Sequence, residues 1–176
     1  MTVLVWDTSP LMHAALAERL DVLADYARGT PGREWRNVVT GPVVKELARN
    51  RIEPDLSWLE IVQLDELDEL TALVRWAQLL GVNTKTGLNL GETSVCAWAE
   101  IHGATAIIDD ADARKVAKTS GILVHGSLWV IATAVRDSGR GETTADNFVR
   151  SLIDSGMRYP KMPDGFCAWA RQNTLL

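Results

Sequence analysis

The chain has 176 residues, 47% of them hydrophobic and 23% charged, and a formal net charge of −5. Those values exclude a largely disordered, collagen-like or mucin-like protein and are enough to build one compact core. No apolar run reaches the roughly 20 residues of a bilayer span, and the opening MTVLVWDTSPLMH lacks the marks of a signal peptide, so a cytoplasmic protein with no membrane segment is expected.

The pattern alternates short apolar strands with helices. Val3-Leu4-Val5-Trp6 reads as a first strand closed by Asp7, after which Ser9 offers an N-cap and Pro10 an N1 residue for a helix over Leu11–Leu23 that breaks near Arg19. Arg28 to Arg33 reads as a loop, Val38-Val39-Thr40 as a second strand, and Gly41-Pro42 as the start of a helix over Val43–Asn50. Ile61 to Leu64 is the third strand, and Asp65 can cap a helix over Glu66–Leu80. A loop over Val82–Leu90 carrying Gly87 leads to a helix from Gly91 to His102. Thr105 to Ile108 is a fourth strand ending in Asp109-Asp110, Ala111 to Thr119 a helix, and Ile122 to Val124 a fifth strand. Helices over Ser127–Arg136, Thr144–Ser155 and Asp164–Gln172 close the chain. Strands apolar throughout are buried on both faces, as in parallel sheets whose crossovers are helical. The expected fold is a three-layer α/β/α domain. It spans 1–176 as one unit, with a core over about 1–139 and a C-terminal helical extension over about 140–176.

In such sheets ligands bind at the carboxyl ends of the strands. Asp7 and the Asp109-Asp110 pair end strands there, Glu92 sits in the first turn of its helix, and Glu46 borders the sheet-facing side of the helix after strand two. Taken singly, each has an ordinary explanation as a turn, cap or first-turn acid. Together, four segments aim carboxylates at one place, and such a group needs a counter-charge, because mutual repulsion raises pKa values. All-oxygen donors suit Mg²⁺ or Mn²⁺, one or two ions. Zinc is disfavoured, since His13, His102 and His125 lack ligand spacing and neither Cys96 nor Cys167 accompanies them. There is no P-loop, no GxGxxG after strand one and no GxSxG. The seven tryptophans read as scattered packing residues, and Arg114, Lys115 and Lys118 as a basic face beside the acids where a phosphate backbone can run.

The stretches VLVWDTSPLMHAA, VVTGPVVKELAR, LNLGETSVCAWAEIHGATAIIDDADARKVAK and ILVHGSLWVIATAVRDSG, in that order and spacing, resemble the PIN-domain nucleases, especially VapC-like toxins of prokaryotic toxin–antitoxin pairs. The resemblance implies a Rossmann-like sheet of order 3-2-1-4-5 and an acidic pocket holding Mg²⁺ or Mn²⁺. It places Asp7, Glu46, Glu92 and Asp110 as the four acids, with Ser9, Asp109 and Asp112 as auxiliary residues. Asp109 competes with Asp110 for the fourth position. Strand geometry turns the two carboxylates apart, so that one can point at Asp7 and the other can cap the helix at Ala111. The resemblance, through the spacing Asp110-Ala111-Asp112, implies the metal role for Asp110 and a capping or outer-shell role for Asp109. Arg28 to Arg36 looks like an insertion and Leu80 to Leu90 like a long loop, both expected to border the pocket. The implied function is metal-dependent cleavage of RNA, with a cognate antitoxin and a second copy of the chain as partners. RNA over DNA rests on the resemblance alone. Two rival readings are an inactive PIN-like binding module and, less favoured, a receiver-like phospho-acceptor, which needs a Lys where His125-Gly126 follows strand five.

Overall fold

Val3–Trp6 forms β1, and Leu4, Val5 and Trp6 are all fully buried although successive side chains point to opposite faces, so both faces of the strand are covered. The computed structural model describes residues 1–82 and 89–176; Gly87 and most of the loop expected over Val82–Leu90 lie outside the described residues. Beside β1 run β4 (Arg36–Thr40) and β6 (Thr105–Ile107), both parallel to it, with Trp6 level with Val39 and Ile107. β5 (Glu60–Val62) lies outside β4 and β7 (Val124–His125) outside β6, giving the order β5-β4-β1-β6-β7. Counted along the chain, these are the third, second, first, fourth and fifth strands of one parallel sheet. Every carboxyl end therefore falls on one edge, where Asp7, Thr40, Gln63, Asp109-Asp110 and Gly126 are delivered.

The Arg28–Arg36 segment is not an open loop: β2 (Gly29–Thr30) and β3 (Arg33–Glu34) pair as a small antiparallel hairpin. Its tip at Gly32, Arg33 and Glu34 sits beside Met1 and Thr2, at the amino end of β1. The insertion thus lies at the opposite edge from the acids and does not border them.

The first helical stretch divides as expected near Arg19, into α1 (Thr8–Leu16) and α2 (Leu20–Tyr26), but the N-cap position of α1 is Asp7 rather than Ser9. α3 (Gly41–Arg49) starts directly on β4. α5 (Leu90–His102) is buried from Thr93 to Ala99 because it packs across β4, β1 and β6 with α4 (Leu67–Leu80) against it. α6 (Ala111–Thr119) links β6 to β7, and α7 (Ser127–Ser138) leaves β7. α8 (Glu142–Asp154) and α9 (Phe166–Gln172) follow, α8 joined to α2 through the stacked rings of Tyr26 and Phe148, 5.5 Å apart.

α4 begins one residue later than the sequence suggests, with Glu66 rather than Asp65 at the N-cap. The reason is Glu69, whose Oε2 accepts from the backbone N–H groups of both Asp65 (2.9 Å) and Glu66 (3.0 Å), while its Oε1 meets His102 Nε2 at 2.7 Å. Burial alone pushes the Glu69 carboxyl up, but His102 and the two N–H groups outweigh it and hold it below the usual range. A lowered carboxylate stabilises the fold above its unfolded pKa and loses that contribution as pH falls through the native value. Glu69→Ala is expected to cost about 2 kcal/mol, or roughly 4–8 °C in Tm, at pH 7. Melting curves should show the gap closing as pH drops below the ordinary Glu value of 4.5.

Candidate functional site

The site is built outward from Asp7. An apolar strand with both faces covered carries its last residue to the sheet edge, and Asp7 there is only 1% exposed. Neither carboxylate oxygen has a hydrogen-bond partner among the described residues. Burial raises the Asp7 pKa well above the usual carboxylate range, and the negative charges of Glu92 and Glu46 add to the rise. The N–H groups of Thr8 and Ser9, at the start of α1, face the carboxylate and partly offset this without completing a hydrogen bond.

Glu46 reaches the same point from α3. Thr8 Oγ1 donates to Glu46 Oε2 at 2.7 Å, fixing the second carboxylate beside the first. α5 closes the third side through Gly91. A Cβ at that position would stand 2.5 Å from Glu46 Oε2, 3.0 Å from Thr8 Oγ1 and 3.2 Å from Asp7 Oδ1. Only glycine lets this turn come so near. The turn is pinned by buried hydroxyls: Ser94 Oγ donates to Gly91 O at 2.8 Å and lies 2.7 Å from Thr40 Oγ at the end of β4.

Glu92, next along the turn, links this cluster to the fourth acid. Its pKa is raised by burial first, with Glu46 and Asp110 adding to the rise against its own backbone N–H. Asp110 is the N-cap of α6, its Oδ1 accepting from Ala113 N at 2.7 Å. Glu92, Asp110 and Asp112 share the wall of a cavity of about 300 Å³ with Asn89. The acids form a chain rather than a closed cage: among the described residues no three His, Cys, Asp or Glu side chains meet at metal-ligand spacing. The donor set nevertheless suits a hard divalent cation. All four side chains are carboxylates, two of them, Asp7 and Glu92, raised by burial first and by neighbouring carboxylates in addition, and both Asp7 oxygens are buried without a donor among the described residues.

Asp109 turns away from Asp110, as strand alternation requires, but it does not cap α6. Its oxygens accept from Ser127 N (2.9 Å) and Ser127 Oγ (2.7 Å) at the start of α7, while Asp110 holds the N-cap of α6 through the Ala113 N–H. The Ser9 hydroxyl makes no hydrogen bond to an acid among the described residues; the hydroxyl that does is Thr8, which the sequence reading passed over although it directly follows the strand-ending Asp. Gly91 reads in the sequence only as a helix start, and the close approach it permits shows only in the structure. Arg114, Lys115 and Lys118 do not face the acids: they line a second cavity on the β7 side of α6, and Arg114 Nη1 donates to Ile108 O at 2.9 Å. Among the described residues no histidine groups with the acids: His13 Nδ1 lies 3.1 Å from Ser155 Oγ, His102 pairs with Glu69, and His125 stacks on Trp129.

A five-stranded parallel sheet that gathers acids from β1, α3, α5 and the end of β6 at its carboxyl edge defines a nuclease-type α/β domain. The chain belongs to the PIN-domain family, matching the family model DUF3368, a PIN domain, over residues 3–162. PIN domains are generally nucleases and use divalent ions. Comparison with curated proteins gives no match. Among the described residues no helix is long and apolar enough to cross a membrane.

Proposed function

We propose that the chain is a metal-dependent endoribonuclease of the VapC-like kind, with Asp7, Glu46, Glu92 and Asp110 holding one or two Mg²⁺ or Mn²⁺ ions. The observation that carries this reading is the convergence of Asp7 and Glu46 on Gly91, with both Asp7 oxygens buried and unpartnered. A divalent ion bound there supplies the positive charge that phosphate requires and lowers the pKa of a water. The chain's own residues set the geometry. Thr8 fixes the Glu46 carboxylate, Gly91 leaves room between the acids, and the Ala113 N–H holds Asp110 toward Glu92. The N–H groups at the start of α1 face Asp7 and favour its ionised form.

A carboxylate site that admits RNA must be silenced inside a cell that depends on its RNA. An antitoxin that inserts an Arg among the acids does this through charge-assisted hydrogen bonds. A row of exposed apolar residues on α4 (Leu67, Leu70 and Val74) supports docking of that partner or of a second copy. Growth unaffected by strong expression of the active chain alone would count against the toxin role while leaving the nuclease intact.

The test is cleavage of a fluorogenic single-stranded RNA with Mn²⁺, with EDTA, and with two point variants. Activity should vanish in EDTA and return with Mn²⁺; activity undiminished after chelation overturns the reading. Asp110→Asn should lower the rate by at least ~10². Asp109→Asn should change it far less and cost at most about 1 kcal/mol of stability, because an Asn oxygen still accepts from Ser127. The reverse ranking would move the fourth ligand to Asp109.

A further inference from the structure

A second cavity lies across α6 from the acids. Its volume is about 490 Å³, the size of a small-ligand site. Ala111, Arg114, Lys115 and Lys118, spaced three and four apart, present one face of α6 to it, and Arg158 adds a further cation. Among the described residues none of these four cations forms an ion pair. The one carboxylate in the wall, Asp109, is occupied by Ser127. In a chain of net charge −5 this is a concentrated positive surface, offset in the wall by Asp109, whose charge acts on Arg114 and leaves Lys115, Lys118 and Arg158 outside any ion pair among the described residues. The wall opposite is aromatic. His125 stacks on Trp129 with ring centres 4.1 Å apart and planes 10° from parallel, and Trp129 is itself parallel to Trp35, which is not part of the wall. Burial and the charge of Lys118 hold the His125 pKa down, so at neutral pH the ring is an uncharged flat surface.

We propose that this cavity is a nucleotide subsite: it takes one unpaired nucleotide of single-stranded RNA, the base against the His125 ring, which Trp129 backs, and the flanking phosphates on Lys115, Lys118 and Arg158. The combination of a flat ring wall with unpaired cations selects a base joined to phosphate, since stacking is available only to an unpaired base and the cations take the backbone. Arg114, tied to the Ile108 carbonyl, shapes the floor rather than reaching out. A strand, rather than a free nucleotide, is the occupant because the two cavities flank a single peptide. Asp109 lines this cavity and Asp110 the acidic one, so a chain crossing the start of α6 engages both. The proposal rests on the ribonuclease reading for its substrate, but its test does not need cleavage.

The full chain is titrated in EDTA against a short fluorescein-labelled single-stranded RNA of mixed sequence, read by anisotropy at several salt concentrations. The double variant Lys115→Ala/Lys118→Ala, on exposed positions, should bind at least ~10-fold more weakly with a salt slope shallower by about 1.4, the share of two single-strand phosphate contacts. His125→Ala should lose about tenfold with little change in slope, as expected when stacking rather than charge is removed. Melting curves check that each variant is folded. Wild-type affinity in the lysine variant overturns the proposal whether or not the protein cleaves RNA. So does equal affinity for the same sequence as a duplex, or for AMP, GMP, CMP or UMP alone. A chain that fails to cleave RNA but loses binding in these variants keeps the subsite and removes only the nuclease.

Discussion

Asp7→Asn is expected to abolish RNA cleavage and, in chelating buffer, to raise the melting temperature. The two effects have one cause. Asp7 is buried among acids, both of its oxygens lack a donor, and its pKa is raised by burial and by Glu92 and Glu46. A carboxylate whose native pKa lies above its unfolded value favours the fold while protonated and loses that advantage as pH rises through the native pKa. Without a cation, placing a charge on the buried Asp7 therefore destabilises the native state. Asn keeps the shape and removes the charge. For a chain of this size each kcal/mol relieved is worth about 2–4 °C. The advantage of Asp7→Asn should disappear in acid, where the wild-type carboxyl is protonated as well. Mn²⁺ should reverse the order at neutral pH, stabilising the wild type through its carboxylates and the variant little. Calorimetric scans with and without Mn²⁺ at two pH values, beside a cleavage assay, check every part. A lower melting temperature for the variant in EDTA would mean that Asp7 is held by favourable contacts.

Gly91→Ala should be nearly as damaging, by a steric route. The added Cβ meets Glu46 Oε2 at 2.5 Å, Thr8 Oγ1 at 3.0 Å and Asp7 Oδ1 at 3.2 Å. The nearest atom ends a flexible side chain, so Glu46 swings away first and the hydrogen bond from Thr8 breaks with it. Gly91 is helical, and alanine favours helix by about 1 kcal/mol, which offsets part of the strain. The melting temperature should accordingly move by only a few degrees while the cleavage rate falls by at least ~10². Mn²⁺ affinity should drop alongside the rate. Gly91→Ser should behave like alanine, because the obstruction is the Cβ and not the chemistry beyond it. Full activity in Gly91→Ala would show that the close approach of α5 to Glu46 is not needed.

Much of this arrangement is legible in the sequence. Apolar runs buried on both faces announce a parallel sheet, and a parallel sheet sends Asp7 and Asp109-Asp110 to one edge. What periodicity misses is local donor competition. Asp109 and Asp110 are both cap-type residues, and only the structure shows that Asp110 takes the Ala113 N–H of α6 while Asp109 takes the Ser127 N–H of α7. Glu69 displaces the start of α4 in the same way, by reaching back to two N–H groups that a cap at Asp65 would have left free. The roles of Thr8 and Gly91 depend on contacts between α1, α3 and α5, at sequence separations no local pattern reports. The basic face of α6 was visible as charge spacing, but its direction was not. It looks toward β7, where two of the seven tryptophans, Trp129 and Trp169, join His125 in one cavity wall.

Direct Mn²⁺ binding tests the central claim with the fewest intermediates. Electron paramagnetic resonance of free Mn²⁺ during titration of the full chain should show one or two ions taken up per chain, and the uptake should collapse in both Asp7→Asn and Glu92→Gln while surviving in Asp109→Asn. Uptake that is absent from the wild type, or unchanged in the Asp7 and Glu92 variants, would contradict a metal centre built on these carboxylates.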